Sequence, residues 1–348
     1  MNAALILKRR HDQVGKQLVT LFHPLRLVFT FLLLCAWDLS LADSPTISIT
    51  QSSPIKSQFQ YVEDPTGQID IKRVVTLPDS DWQLARSGNA NFGMTKSPYW
   101  LRFSVNNQTP HNLNLIAALS YPQLDDVIFH VFEGKDQVHE FATGDSRPFY
   151  PREVDHPDML LRFTLSTNQT KTVYIRVQSE GSIILPLQIW RENIYFAAAA
   201  KEQKLHFFYY GCLTVIILIN LAVFLSLREK LYLYYSLAIA GYLLFFTSIL
   251  GYSFQHLYPQ SPELHSRALL LSMPILALFS VLFCREFLKT KSQSPKLDWA
   301  LRAMMYFEVF NFFSALLLSY NTAIIISAIS AFFFFSILFV AGPIRWVA

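Results

Sequence analysis

The second half of this chain consists largely of long apolar segments, and this feature constrains the fold more than any other. Five such segments follow Leu205. They cover residues 206–227, 231–250, 268–288, 301–320 and 323–341. A helix of about 20 residues rises about 30 Å, which matches the hydrocarbon core of a bilayer. The sequence therefore predicts an α-helical transmembrane bundle of five spans, with the lipid bilayer as a partner and a tight hairpin at Tyr320-Asn321-Thr322.

Composition also favours a membrane protein. Of the 348 residues, 52% are hydrophobic and 16% are charged, whereas an average soluble chain carries about 25% charged residues. This shortage of charge argues against one large soluble enzyme, a disordered chain or a fibrous protein. A net charge of +4 is too small to indicate a nucleic-acid partner, and we expect none.

The basic residues between the apolar segments predict an orientation. Eight of them lie in the two alternate loops on one side and in the tail, namely Arg228, Lys230, Arg285, Lys289, Lys291, Lys296, Arg302 and Arg345. The loops on the opposite side contain only Arg267. Cytoplasmic loops of membrane proteins are enriched in Lys and Arg. We therefore expect the C-terminus, with a tail at 342–348, in the cytoplasm, and the polar N-terminal region outside.

The N-terminus has the pattern of an export signal. A basic leader precedes a short apolar run, Leu27 to Trp37, and a small-residue site, Ser40-Leu41-Ala42. The run is too short to cross a bilayer as a helix, and the order of the three parts is that of a secretory signal peptide. We expect a signal peptide over residues 1–42; the alternative is an uncleaved anchor helix.

Residues 43–190 are predicted to form an exported all-β sandwich. Apolar residues recur with period two in five runs, Tyr99–Val105, Val127–Phe132, Leu161–Leu165, Val173–Val177 and Ile183–Ile189. This period is typical of half-buried strands, and short strands without convincing helices between them favour an antiparallel sandwich. The three cysteines, Cys35, Cys212 and Cys284, all lie outside this region, so its fold depends on core burial alone.

Residues 191–205 are predicted to form a helical stalk between the two regions. They include the run Ala197–Ala200 and have high helix propensity. A stiff stalk can transmit a tilt or twist of the sandwich to the helices, which a flexible linker cannot. The alternative is a passive connection.

Motifs spread over residues 45–341 carry a family resemblance. They are Tyr99–Phe103 with Asn106-Asn107, Tyr121–Val127, Tyr174–Val177, Tyr209–Gly211, Asn220-Leu221, Arg228–Lys230 with Tyr232–Tyr235, Gly251-Tyr252, Leu257–Pro259 and Arg285–Leu288. In their order and spacing the chain resembles the bacterial seven-transmembrane receptors with diverse intracellular signalling modules (7TMR-DISM), with the type 2 extracellular domain. The resemblance implies a jelly-roll-like periplasmic sandwich similar to carbohydrate-binding modules, and an inner-membrane location.

The same resemblance implies seven spans and a cytoplasmic output such as a diguanylate cyclase or a histidine kinase. This sequence stops at Ala348, after the fifth predicted span. We expect a truncated 7TM region that lacks the last spans and the output domain; the alternative is a reduced form that recruits partners. Outputs of this family work as dimers, so a homodimer is a further expectation.

The sequence has no motif of a catalytic centre. It contains no phosphate-binding loop, no HExxH and no GxSxG, so we predict no enzyme activity in this chain, no catalytic residue and no cofactor. His256 and His265 lie near one predicted outer loop, without nearby cysteines or clustered carboxylates. We interpret them as exposed loop residues and predict no metal site.

Four residues of the sandwich are candidates for ligand contact. Trp82, Trp100, Arg102 and Tyr121 are of types that stack on sugars or bind small polar ligands. Trp100 and Arg102 share one face of a predicted strand, opposite Tyr99, Leu101 and Phe103. The alternative is structural, with one of the pair in the core and the other paired with a carboxylate.

Three polar residues stand out within the apolar segments. They are Asn220 in the first span and Glu308 and Asn311 in the fourth. Residues three apart lie on one helix face, and an ionisable group at this depth costs about 2.5–3.5 kcal/mol on insertion scales. We therefore expect Glu308 and Asn311 to face the bundle interior, either as part of a switch or, as we favour, in a static interhelical bond.

These observations leave three hypotheses of function. In the first, the chain is a signal-sensing receptor module whose sandwich binds a small ligand or a periplasmic partner and relays the change to the helices. The family resemblance suggests a carbohydrate-like ligand. In the second, it is a membrane adaptor or assembly protein without a ligand. In the third, it is a transporter or a membrane-embedded enzyme. Broken helices with paired charges would favour this hypothesis, but the spans here are mostly continuous.

Overall fold

The computed structural model describes residues 59–85 and 89–344. The predicted signal peptide, Cys35 and Arg345 lie outside these residues. The described part of the chain divides into a strand-rich region that ends at Arg191 and a helical region that follows it directly.

Ten strands form two antiparallel sheets in the described residues. The strands are β1 (Phe59–Glu63), β2 (Gln83–Ala85), β3 (Asn89–Met94), β4 (Tyr99–Asn106), β5 (Leu113–Leu119), β6 (Asp126–Glu133), β7 (Asp136–Thr143), β8 (Met159–Leu165), β9 (Thr170–Gln178) and β10 (Ser182–Arg191). One sheet has the order β2-β1-β4-β9-β6-β7, and the other has the order β3-β10-β5-β8. The predicted sandwich is confirmed.

The core lies between the two sheets and consists of the alternating apolar residues. Leu101 lies opposite Ile175 in the register of β4 and β9, and Phe129 lies opposite Ile175 in the register of β6 and β9. All three side chains are fully buried. The five predicted runs correspond to β4, β6, β8, β9 and β10, and their inward faces share one cluster.

Part of the outer face of the six-stranded sheet is also covered. Residues 64–82, which include the short helix α1 (Ile71–Val74), cover the six-stranded sheet with an apolar cluster around Trp100. Asp64 fixes the start of this segment, because its carboxylate accepts hydrogen bonds from the Ile69 N–H at 2.9 Å and from the Thr66 hydroxyl at 2.8 Å. These bonds hold the pKa of Asp64 below its usual value although burial opposes them.

Seven helices follow the strands in the described residues. They are α2 (Glu192–Leu227), α3 (Lys230–Ile249), α4 (Tyr252–His256), α5 (Pro262–Phe287), α6 (Thr290–Gln293), α7 (Pro295–Leu317) and α8 (Tyr320–Ile344). Five of them, α2, α3, α5, α7 and α8, are long and apolar enough to cross a membrane. The predicted number of candidate spans is confirmed.

Some helix ends differ from the predicted ones. Helices α5 and α7 begin about six residues before the predicted spans, each with a proline in its first turn, where the missing N–H costs nothing. The break between α7 and α8 lies at Leu318-Ser319 instead of Tyr320–Thr322. Helix α8 begins directly after Ser319. The Ser319 hydroxyl hydrogen-bonds with the Thr322 hydroxyl at 3.0 Å, and the Ser319 carbonyl accepts from the Ala323 N–H.

Candidate signal-relay site

Two segments of the sandwich contact the outer end of the helices. They are residues 120–125, between β5 and β6, and residues 144–158, between β7 and β8. Their partners lie in residues 248–265, from the end of α3 through α4 to the first turn of α5. We call this contact the docking surface.

Gln123 binds the end of α3. Its side-chain amide donates to the carbonyl oxygens of Ser248 at 3.0 Å and Ile249 at 3.2 Å. The last carbonyls of a helix lack the usual partners within the helix, and the sandwich supplies an additional donor here. The Ser248 carbonyl also accepts from the Gly251 N–H at 3.0 Å. Gln123 itself is buried.

Gly251 allows the sandwich and the helices to approach closely. Its φ of +75° belongs to the left-handed region, which glycine adopts without strain. A Cβ atom at this position would lie 3.0 Å from the Cβ atoms of both Pro122 and Pro157. The turn between α3 and α4 therefore fits between two prolines of the sandwich only because it carries no side chain.

Direct hydrogen bonds also join the docking surface. The Phe149 N–H donates to the Pro259 carbonyl at 2.7 Å, and the Gln255 amide donates to the Asp155 carboxylate at 2.8 Å. The ring of Phe149 packs edge-on against Phe254, with centroids 5.6 Å apart. The contact is therefore both polar and apolar.

Arg152 holds the longer sandwich segment in shape. Its guanidinium lies 4.0 Å from the ring centroid of Phe149 and donates to the carbonyls of His156 at 3.1 Å and Pro157 at 2.9 Å. Burial lowers the pKa of Arg152 to about 10, against the attraction of Asp145 and other acidic neighbours. A charged group is thus kept in a desolvated position by its carbonyl partners.

Asp145 and His265 form the most buried polar pair of the docking surface. The Asp145 carboxylate and the His265 Nε2 lie 3.8 Å apart, and His265 stacks on Phe254 at 4.6 Å. Burial, and then the nearby Asp125 carboxylate, raise the pKa of Asp145 well above its usual value. The prediction that His265 is an exposed loop residue is wrong, because α5 begins at Pro262 and turns this side chain under the sandwich.

A second connection is covalent. Strand β10 ends at Arg191 and α2 begins at Glu192 without a loop. In the first turn of α2, the Tyr195 hydroxyl donates to the Asp158 carboxylate at 3.2 Å, and its ring packs on Trp190. Helix α2 then continues unbroken to Leu227, through the predicted stalk and into the first candidate span.

The structure brings three of the four candidate ligand residues together. The Arg102 guanidinium lies 4.4 Å from the ring centroid of Trp82, and Trp82 and Trp100 share the cluster under residues 64–82. Both indoles are buried, and neither indole N–H has a partner. Arg102 also pairs with Asp79 and Gln60. Tyr121 lies apart, in the docking segment beside the main core. Ligand contact by these residues stays a prediction.

Within the helices, Glu308 and Asn311 are fully buried. The Ser330 hydroxyl of α8 donates to Glu308, and the Ser327 hydroxyl donates to the Asn311 side-chain oxygen at 3.0 Å. We call these four residues the intramembrane cluster. Asn220 differs, because its amide donates to the Ile216 carbonyl of its own helix at 2.9 Å. A switching role for any of them stays a prediction.

Among the described residues, no group of three or more His, Cys, Asp or Glu side chains could hold a metal ion. The docking surface consists of hydrogen bonds, ring contacts and a close approach at Gly251.

Two family models match the sequence. The model of the 7TMR-DISM extracellular 2 domain matches residues 56–191, and the model of the 7TM diverse intracellular signalling region matches residues 202–348. The chain belongs to the 7TMR-DISM family. It is therefore a membrane receptor protein whose sandwich is the extracellular domain of a 7TMR-DISM receptor, as its sequence motifs predicted.

Other comparisons with known proteins give only distant likenesses. No curated protein matches the chain. Three solved structures are similar to parts of the chain, each with a TM-score of 0.20. They are a family GH115 4-O-methyl-alpha-glucuronidase with specificity for decorated arabinogalactans (17% identity), TmCBM61 in complex with beta-1,4-galactotriose (10%), and a GH31 alpha-xylosidase from Xanthomonas citri (10%).

These likenesses cover 30%, 38% and 39% of the 7TMR-DISM chain and 14%, 88% and 15% of the respective structures. The chain thus spans about one seventh of the length of the glucuronidase that it matches. At these identities and TM-scores, no ligand or activity carries over from them.

Sequence reasoning did not find the docking residues of this receptor. Gln123, Asp145 and Gln255 have no distinctive spacing, since their partners lie a hundred or more residues away. Arg152 contacts residues of its own segment instead. Two signals were present in the sequence. Gly251-Tyr252 and Tyr121–Val127 both belong to the family motifs, and the structure places them against each other.

Proposed function

We propose that this chain is the sensing and relay part of a receptor in the bacterial inner membrane, with the sandwich in the periplasm and the C-terminus in the cytoplasm. The family membership supports a receptor, and the eight inner basic residues support the orientation. The sandwich detects a small ligand or a periplasmic partner, and the helices carry the change across the membrane.

The observation that carries this proposal is the double connection between sandwich and helices. Helix α2 continues from β10 without a loop, and the docking surface holds the outer end of α3, α4 and α5. With two attachment points, a rotation of the sandwich about one of them displaces the helices at the other. Thermodynamically, the signal needs only a ligand that binds two states of this assembly with different affinity.

One observation favours the adaptor hypothesis instead. Trp82 and Trp100, the aromatic residues expected to contact a ligand, are 6% and 1% exposed. A ligand reaches them only if residues 64–82 move. An adaptor without a ligand needs no such movement.

The relay is tested by disturbing the docking surface and observing the far side of the membrane. Gly251→Val in the full chain in nanodiscs introduces a side chain between Pro122 and Pro157. We expect faster amide hydrogen exchange at 248–258 and also a change at the inner loops 228–230 and 289–294. The matched control is Gly134→Val, which has a similar φ of +61° but open space around it.

The control should alter exchange only near the β6–β7 turn. If Gly251→Val loosens the docking surface and leaves both inner loops unchanged, the relay proposal is wrong.

The orientation has its own test, since an impermeant amine reagent should label Lys135 in spheroplasts and reach Lys291 only after permeabilisation. Equal labelling of both residues in intact spheroplasts would contradict the proposed topology.

A further inference from the structure

A second feature of the sandwich has the size of a binding site. A cleft of about 590 Å³ lies between the edge strands β7 and β8, which belong to different sheets. Small-molecule sites are commonly about 300–1,000 Å³, apolar in their lining with a few polar groups. We call this feature the edge cleft.

The lining of the edge cleft combines an apolar floor with charged groups. Val138 and Phe163 contribute apolar surface, and His139, Glu153, Arg162 and Lys171 contribute the charges. Unlike Trp82 and Trp100, these residues line an open cleft, and the side chains of His139 and Arg162 are 43% and 49% exposed. The Arg162 guanidinium lies toward α2, 6.0 Å from the ring centroid of Phe196. A ligand can reach them without rearrangement of the sandwich.

The acidic side of the cleft is already satisfied. One oxygen of Glu153 pairs with the His139 Nε2, and the other accepts from the Arg162 backbone N–H at 3.4 Å. The basic side is not satisfied to the same degree. Lys171 donates one N–H to the Thr164 carbonyl at 2.8 Å, and the Arg162 Nε pairs with Glu192 at 2.8 Å. An ammonium has three donors and a guanidinium has five. N–H groups of Lys171 and Arg162 therefore remain available to a further acceptor.

We propose that the edge cleft is the receptor's ligand site and binds a small carboxylate with an apolar body. The carboxylate accepts from the Arg162 guanidinium and the Lys171 ammonium, and the apolar body covers Val138 and Phe163. This inference rests on the proposed receptor function and names the ligand class. Charge-assisted bonds to a planar guanidinium match the geometry of a carboxylate.

The edge cleft contacts both connections to the membrane. Arg162 pairs with Glu192, the first residue of α2, so a bound carboxylate competes with Glu192 for the same guanidinium. Glu153 lies in the docking segment next to Arg152, which packs on Phe149 at the docking surface. A ligand that draws Arg162 into the cleft therefore shifts the start of α2 and the segment that holds α4.

Binding is measured by calorimetry on the full chain in nanodiscs, with phenylacetate and 4-methylvalerate as probes at up to millimolar concentration. Phenylacetamide, which has the same body without the charge, is the matched ligand control. We expect saturable binding of at least one carboxylate and about tenfold weaker binding after Lys171→Gln or Arg162→Gln, the effect of losing one charge-assisted bond. The matched protein control is Lys96→Gln, which removes an exposed lysine outside both the edge cleft and the docking surface and should leave binding unchanged.

The consequence for the helices is measured by amide hydrogen exchange with and without the bound carboxylate. We expect faster exchange at 192–200, where Glu192 loses its partner. If neither carboxylate binds, or if both bind equally well after Lys171→Gln and Arg162→Gln, the edge cleft is not the ligand site. Binding without altered exchange at 192–200 contradicts the competition for Arg162. Neither result bears on the Gly251→Val experiment, so failure of this inference and failure of the relay remain distinguishable.

Discussion

The docking surface and the intramembrane cluster are both buried and polar, but they are built differently. In the intramembrane cluster, Glu308 and Asn311 bind serines of the next helix along the chain, 22 and 16 residues away respectively. In the docking surface, Gln123 and Gln255 bind partners 125 and 100 residues away. The first joins neighbouring helices, and the second joins two regions that the chain could otherwise fold separately.

The difference shows where a buried polar group contributes to stability. Within a bilayer, a polar side chain finds another partner even when the native one is lost, so an interhelical bond contributes only about 0.6 kcal/mol. At the docking surface, the alternative to the native partner is water, and removal of one side leaves the other buried without compensation. Substitutions should therefore cost more at the docking surface than in the intramembrane cluster.

The largest effect is expected at Arg152. Arg152→Ala removes the donor for the carbonyls of His156 and Pro157 and leaves acidic neighbours without their cation, so we expect a loss of about 3–5 kcal/mol in unfolding free energy. Arg147→Ala, which breaks an exposed pair with Asp126, should cost at most about 1 kcal/mol. Denaturation of both variants in detergent, followed by tryptophan fluorescence, checks this. Equal costs would contradict the role of Arg152.

A smaller effect is expected for the pair Gln255 and Asp155. Gln255→Ala removes a bond to a carboxylate, which contributes about 1.5–3 kcal/mol. The double variant with Asp155→Ala should cost less than the sum of the two single variants, because they share one interaction. Strict additivity in this double-mutant cycle would show that the two side chains do not interact.

The stability of the docking surface should depend on pH through Asp145. Its pKa is raised in the folded chain, so the protonated form is favoured by folding. The resulting stabilisation is complete below the ordinary aspartate pKa and is lost as the pH rises through the higher folded value. Asp158, whose pKa burial also raises, acts in the same direction. Thermal unfolding from pH 4 upward should show falling stability, and Asp145→Asn should flatten that fall; an unchanged slope would exclude Asp145 as its source.

The smallest effect is expected in the intramembrane cluster. Glu308→Gln keeps an acceptor for Ser330 and should change unfolding free energy by about 0.6 kcal/mol or less. Asn220→Ala, which removes a bond within a single helix, is the comparison. If Glu308→Gln lowers the unfolding free energy as much as Arg152→Ala does, there is no contrast between the two regions.

The sequence predicts one of these regions better than the other for a physical reason. A polar group in an apolar segment must find a partner nearby, so the burial of Glu308 and Asn311 follows from their position. The period-two runs likewise predict five strands, because burial between sheets requires alternation. Strands β1, β2, β3, β5 and β7 lack so clear a pattern: β5, for example, is apolar on both faces because α2 covers its outer side.

The docking surface is not predictable in this way. Gln123, Asp155 and Gln255 are ordinary surface residue types, and the burial of the two glutamines depends on how the sandwich sits on the helices. The same holds for Trp82 and Trp100, which residues 64–82 cover. Period and composition report which face of an element is buried. They do not report which distant segment covers it.

The central claim is that the sandwich is docked on the outer end of α3, α4 and α5. Its most direct test is disulfide formation between Asp155→Cys and Gln255→Cys, in the full chain with Cys35, Cys212 and Cys284 replaced by serine. The matched control pairs Asp155→Cys with His256→Cys, the exposed neighbour of Gln255 that lies beside Phe207. Under mild oxidation, the docked arrangement should give a cross-linked peptide by mass spectrometry for the first pair and little for the second. Equal cross-linking of both pairs, or of neither, would contradict the docked arrangement.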